Sequence, residues 1–164
     1  MTSPPQATRE TRAARNLPIR RGDAADLAAL VALQHDAYRP NTEILGVEPL
    51  PLQADYADIV RTSEVWVVPG ADGLAGALIL KVAPDHLLIW SVSVASSAQG
   101  CGLGGRLLAY AEERARQLGL RILRLYTGEK LRRNVQWYRR NGYAIERIEA
   151  LPDRRLVHMI KTIG

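Results

Sequence analysis

Four glycines in six positions, Gly100, Gly102, Gly104 and Gly105, follow Gln99 and precede an apolar stripe of helical period. Residues without a Cβ let a ligand approach the backbone closely. At a helix start the backbone N–H groups lack partners and the dipole is positive. Glycines placed there make an anion site, suited to a phosphate or pyrophosphate. The string Gly100-Cys101-Gly102-Leu103-Gly104-Gly105 also satisfies GxGxxG, the dinucleotide fingerprint. That fold needs several more βα units after its glycines, and only 59 residues follow Gly105. The residues before the loop do not read as βαβ repeats either, so the dinucleotide reading is set aside. Cys101 lies inside the loop with no His close in sequence to act as its base, which argues against a covalent mechanism. His35, His86 and His158 lack metal-ligand spacing, so no metal is expected.

The elements that must hold this loop are legible on either side of it. Leu87 to Val94 is an apolar run of strand length. Leu107, Leu108, Ala111, Ala115 and Leu118 recur at spacings of three and four, and Gly119 stands where a helix ends. Arg121 to Thr127 reads as the next strand, parallel to the first because a helix crosses between them. Upstream, Leu17 to Arg20 is a short strand, and Asp23 or Asp26 caps a helix. Its stripe is Leu27, Leu30, Val31, Ala37 and Tyr38, interrupted at Gln34 and ended by Pro40. A proline-rich loop, Arg39 to Pro51, leads to one helix over Leu52 to Arg61. Glu64 to Val68 and Leu74 to Val82 form a hairpin about the turn Pro69 to Gly73. Asn134 to Arg140 is a short helix, and Tyr143 to Ile148 pairs with Leu156 to Ile160. The fold class is α/β (α+β): a mixed, twisted, mostly antiparallel sheet with a central parallel βαβ unit and helices on both faces. Residues 17–164 read as one domain. Residues 1–16, rich in proline and arginine and poor in large apolar side chains, read as a flexible extension.

Composition narrows the function class. The chain has 164 residues, 47% apolar and 24% charged, as in a soluble globular domain. No apolar run approaches a membrane span, and the single cysteine fits a reducing compartment. The expectation is a cytoplasmic protein without a membrane partner. The net charge of +5 is unevenly placed: Gly22 to Gln99 carries a balance of −7, and Gly100 to Arg140 one of +7. A polyanion near the second half and a cation near the first would suit that split. A nucleic-acid partner is not expected, because no binding motif is present and aromatics are only 5% of the chain.

Two motifs resemble one family. Gln99-Gly100-Cys101-Gly102-Leu103-Gly104 is similar to the Q/R-x-x-G-x-G/A acetyl-CoA loop of the GNAT superfamily of N-acetyltransferases. Residues 134 to 143, NVQWYRRNGY, resemble that superfamily's helix segment with an Asn, a mid-helix Tyr and a closing G-(F/Y), in the expected order and at the expected distance from the glycine loop. The likeness extends from about Leu17 to Lys161. It implies that Gln99, Gly100, Gly102, Gly104 and Gly105, with the backbone of Cys101 and Leu103, cradle the CoA pyrophosphate. It implies that the backbone of Val92, Ser93 and Val94 pairs with the pantetheine arm in a gap between splayed strands. Asn134 would bond the arm or fix the nearby loop. Tyr138 would lie near the thioester sulfur as general acid, and a backbone N–H around Val92 would meet the developing oxyanion. Arg132, Arg133, Arg139 and Arg140 would be candidates for the 3′-phosphate.

The implied activity is an acetyl-CoA-dependent N-acetyltransferase, moving an acetyl group to a primary amine by direct transfer in a ternary complex. The amine acceptor would be a small molecule or a protein, favoured by the acidic first half; a homodimer is among the assemblies open to the chain. The alternative is a non-catalytic acyl-CoA-binding or regulatory module of the same fold. One departure supports it. Many members carry a glutamate in the strand before the glycine loop, and here that strand is LLIWSVSV. Glu43, Glu64, Asp85 and His86 are the substitute bases to consider, through water where needed. Trp90 would be either the floor of an acceptor pocket or a core residue.

Overall fold

Period-two apolar patterning produces the strands, and one strand is apolar without alternation. The computed structural model describes residues 16–164. The extension expected over residues 1–16 lies outside the described residues apart from Asn16. Seven strands form one sheet: β1 (Arg20–Arg21), β2 (Glu64–Gly70), β3 (Gly73–Val82), β4 (Leu87–Val94), β5 (Ile122–Gly128), β6 (Ala144–Ala150) and β7 (Arg155–Thr162). Their order is β1-β2-β3-β4-β5-β7-β6, and every neighbouring pair except β4–β5 is antiparallel. Central strand β3 is buried on both sides from Ala75 to Leu80, which explains its continuous apolar run.

Helices cover both faces. On one, α1 (Leu27–Tyr38) packs Leu30 and Leu33 against Val65, Val67, Ala77 and Ile79. Two short helices, α2 (Asn41–Leu45) and α3 (Leu50–Gln53), follow it, and α4 (Tyr56–Thr62) adds Tyr56 and Ile59 to that core. The single helix expected over Leu52 to Arg61 is therefore two. Ala54 is extended, and the Asp55 carboxylate accepts the Asp58 N–H at 3.2 Å to start α4 afresh. On the other face α5 (Leu103–Gln117) buries Leu103, Leu107, Leu108, Ala111 and Ala115 against Leu78, Leu80 and Leu125. Each leucine so buried contributes about 1.5–3 kcal/mol. The last helix, α6 (Arg132–Arg140), runs between β5 and β6.

Two irregularities in the sheet matter for the site. Ile79 pairs with Ser91 while Leu80 pairs with Ile89, so Trp90 is an extra residue in β4, a β-bulge. Ile89 faces the α5 core, and after the bulge Val92 and Val94 do so again. Ser91 turns to the α1 face, where Gln34 donates to its hydroxyl. The second irregularity is the brevity of the parallel pair. β4 and β5 register only at Leu87–Leu123 and Leu88–Arg124. Beyond those two rungs the strands separate. No helix among the described residues is long and apolar enough to cross a membrane.

Candidate active site

The separation of β4 from β5 frees main-chain groups. The Ala95 N–H bonds the Ala75 carbonyl on β3 at 2.8 Å, and Ser93 pairs with Ala77. Alternation along an antiparallel ladder then turns the N–H and C=O of Val92 and Val94 away from β3, into the split. Two of those carbonyls are held by side chains: Tyr38 donates to Val92 O at 3.3 Å and Gln99 to Val94 O at 3.3 Å. The Val92 and Val94 N–H groups face the gap that β5 leaves.

The glycine loop closes the outer end of this gap. Gly100 and Gly102 have φ of 78° and 83°, a region that a Cβ disfavours. Gly102 is the N-cap of α5 and offers no side chain to cover the first-turn amides. A Cβ at Gly100, Gly102 or Gly105 would meet no atom within 4 Å, so the loop faces open space. At Gly104 the reason for glycine is different, since a Cβ there would lie 3.0 Å from Trp137 Cζ2. The side chains of Cys101 and Leu103 are buried, with the Cys101 thiol donating to Ala98 O at 2.6 Å. Val92, Ser93, Val94, Gln99, Gly100, Gly102, Leu103, Gly104, Gly105 and Asn134 therefore line one cleft of about 470 Å³, with Cys101 behind it.

A second compartment adjoins that cleft. Tyr38, Asn41, Val92, Asn134 and Trp137 line both the cleft and this chamber of about 150 Å³. The inner chamber holds Tyr138 and is walled by Trp90, Tyr126 and the α2–α3 segment through Leu45, Leu50 and Pro51. Tyr138 packs its ring on Trp137 (5.0 Å) and Tyr143 (6.0 Å). Burial raises its pKa above the ordinary tyrosine value, and the neighbouring Tyr38 and Tyr143 push it further the same way. It stays protonated across the physiological range. Among the described residues its hydroxyl has no hydrogen-bond partner.

Tyr38 is held by a directional chain. Gln34, fully buried, donates one amide hydrogen to Tyr56 Oη at 2.9 Å and one to Ser91 Oγ at 3.0 Å. Tyr56 passes its own hydrogen to Pro51 O at 2.5 Å. Tyr38 Oη lies 2.8 Å from Ser91 Oγ and donates to Val92 O, so Ser91 donates to Tyr38. Desolvation pushes the Tyr38 pKa up to about 12, although the Ser91 hydrogen bond opposes it.

The substitute bases lie elsewhere. Glu64 forms a bidentate pair with Arg114 at 2.9 Å and accepts from Trp66. The Arg114 hydrogen bond leads the forces that hold its carboxyl below the usual range, while burial opposes it. Asp85 and His86 bond each other beside Arg124, before the first residue of β4. Glu43 is exposed on α2. None of the four lines either compartment, and neither do Arg132, Arg133, Arg139 and Arg140. Trp90 both lines the chamber and packs edge-on against Tyr56 at 6.1 Å. Among the described residues no group of three His, Cys, Asp or Glu is placed to hold a metal.

Comparison with known proteins fits this architecture. The sequence profile of the acetyltransferase (GNAT) family matches residues 28–143, most of the chain. The chain belongs to the GNAT family. An uncharacterized N-acetyltransferase of Bacillus subtilis (strain 168), YvbK, is 28% identical over 93 residues, covering 56% of this GNAT chain and 60% of that protein. Nourseothricin acetyltransferase is 25% identical with a TM-score of 0.58, over 63% of this chain and 66% of that one. The chain thus spans less than two thirds of the length of these two relatives. The fold extends more fully to the PaiA N-acetyltransferase from Thermoplasma acidophilum, solved in complex with coenzyme A. That match has a TM-score of 0.73 at 18% identity, over 90% of this chain and 99% of that one.

Three members of this GNAT site were not singled out as functional from sequence. Tyr38 was read only as part of a helical stripe, Trp137 as a motif filler, and Arg154 not at all. The Arg154 side chain is 6% exposed and lines the inner chamber. A charged residue in a hairpin turn gives no periodic signal of burial.

Proposed function

We propose that this GNAT protein transfers an acetyl group from acetyl-CoA to a primary amine by direct attack within a ternary complex. The observation that carries the reading is that the two compartments adjoin: an anion-suited cleft at the mouth of α5 shares Val92 and four other lining residues with an aromatic chamber containing Tyr138. The residues present fit the carrier. A Cβ at Gly100, Gly102 or Gly105 would project into the cleft where a diphosphate would sit, and the first-turn amides of α5 point there. The Val92 and Val94 N–H groups suit an extended amide-bearing arm.

When bound, acetyl-CoA supplies the activated thioester. Val92 N–H is a donor for the acyl oxygen as negative charge builds on it. The new bond is N–C and the broken bond is C–S. Tyr138, protonated and desolvated, gives its proton to the departing thiolate and is reprotonated from solvent. The amine's own proton leaves to water, because among the described residues no carboxylate lines the chamber. Enclosure in the chamber brings the two reactants together at high effective concentration.

Release of free thiol from acetyl-CoA, measured across an amine panel with the acetyl group isotopically labelled, tests this. Label on an amine product is the expected result. Tight CoA binding by calorimetry with no thiol released and no labelled amine would instead establish the non-catalytic acyl-CoA-binding reading.

A further inference from the structure

Among the described residues the inner chamber is lined by rings and one cation, and by no carboxylate. Trp90, Tyr126, Tyr138 and Trp137 supply aromatic wall, and Arg154 is the charged side chain among the lining residues. The acidic residues of the first half, which favoured a cationic acceptor at the level of sequence, do not reach it. Glu48, the acidic residue nearest in sequence to the chamber wall at Pro49, contributes its carbonyl to Gln53 and Arg154 and leaves its side chain exposed.

The guanidinium of Arg154 has five N–H donors. Nε and Nη2 donate to the Asp153 carboxylate at 3.1 and 3.0 Å, and Nη1 donates to Glu48 O at 2.9 Å. Two donors remain, one each on Nη1 and Nη2, enough to meet a carboxylate. Asp153 is 54% exposed against 6% for Arg154, so solvent screens its charge more than that of the buried guanidinium.

Resting on the acetyl-transfer reading above, we infer that the acceptor is a compact amine bearing a carboxylate beside its amino group, an α-amino acid or a close analogue, with Arg154 as the carboxylate receptor. The chamber of about 150 Å³ is small beside the ~300–1,000 Å³ of drug-sized sites and suits a molecule of amino-acid size. A polycation would lose its hydration here with no anion to pair it. A zwitterion brings its own anion and pairs it with Arg154. The same arrangement addresses the missing base. With its carboxylate neutralised by the guanidinium, the buried ammonium is disfavoured by desolvation and releases its proton more readily, which leaves the free pair that attacks.

The test uses the full chain saturated with CoA, titrated by calorimetry with the common α-amino acids, their primary amides and spermidine. Thiol release with acetyl-CoA is followed in parallel. At least one acid is expected to bind about 10- to 100-fold more tightly than its amide, the worth of one charge-assisted pair. Arg154→Gln is expected to erase that difference by weakening the acid far more than the amide, while CoA affinity is kept. Arg154→Lys should keep part of it. Should Arg154→Gln fail to fold, the acid–amide contrast in the unaltered protein decides alone. Equal binding of acids and amides, or preference for spermidine, overturns the inference. Acid-selective binding without thiol release would keep Arg154 as a carboxylate receptor and overturn acetyl transfer; brisk thiol release with spermidine alone would keep acetyl transfer and overturn the inference.

Discussion

Replacing Tyr138 by Phe removes one oxygen from the inner chamber and little else. The ring contacts with Trp137 and Tyr143 survive, and the hydroxyl leaves no orphaned partner behind among the described residues. Folding stability is therefore expected to stay within about 1 kcal/mol of the parent, in either direction. Catalysis should respond very differently. A positioned general acid is worth about 10²- to 10⁴-fold, or about 3–5 kcal/mol of barrier. The assay is thiol release under saturating acetyl-CoA, with CoA affinity from calorimetry and stability from urea unfolding as controls. The expected pattern is a kcat lowered at least 100-fold with CoA affinity and unfolding midpoint unchanged. The pH dependence adds a second reading. Because desolvation and its tyrosine neighbours raise the Tyr138 pKa above the usual value of about 10, the parent kcat should show no alkaline loss from this group below pH ~10. A Phe variant within threefold of the parent kcat would refute the acid role.

Gly102→Ala places a side chain at φ 83°, at a cost of about 1–2 kcal/mol, although its Cβ meets open space. Urea unfolding should register the cost, and CoA calorimetry should show weaker binding because the cleft loses its open floor. Cys101→Ala should leave turnover intact, because the thiol is buried and bonded to Ala98 O behind the loop; steady-state kinetics check this, and a dead variant would revive a covalent route. Tyr38, Tyr56, Tyr138 and Tyr143 all have folded-state pKa values raised first of all by burial. Their neutral forms are favoured in the folded state, so the stabilisation is complete below pH ~10 and is lost as pH rises toward the folded values, about 12 for Tyr38. Thermal melts from pH 9 to 11.5 should show that decline, and Tyr38→Phe should make it shallower.

The layout of the sheet and the place of the anion cleft were legible because both rest on local rules. Strand runs, a helical stripe and glycines at a helix mouth are each written within a few residues. The same rules located the β4–α5–β5 crossover and hence the parallel pair. What escaped was set by tertiary contacts. Gln34 looked like a flaw in the α1 stripe, yet it is a fully buried donor to Ser91 and Tyr56, and periodicity does not distinguish a tolerated polar residue from a partnered one. Trp90 was readable as wall or core and is both: it lines the chamber and packs on Tyr56, beside a bulge, invisible in an unbroken apolar run, that brings Ser91 onto the same face. The missing strand glutamate raised the question of the base, but only the assembled chamber shows that, among the described residues, no carboxylate lines it. The break at Ala54 was hidden by an apolar stripe that happens to run across both short helices.

The bulge at Trp90 also shapes how this strand can change through descent. Ile79 opposes Ser91 and Leu80 opposes Ile89, so excising Trp90 would close the ladder into plain alternation, with Val92 and Val94 still toward α5 and Ser91 still toward Gln34. A residue lost elsewhere in the strand would turn the side chains between the deletion and the bulge onto the opposite face. Length can therefore change at one place at the cost of one indole, while the rest of the strand tolerates only new letters.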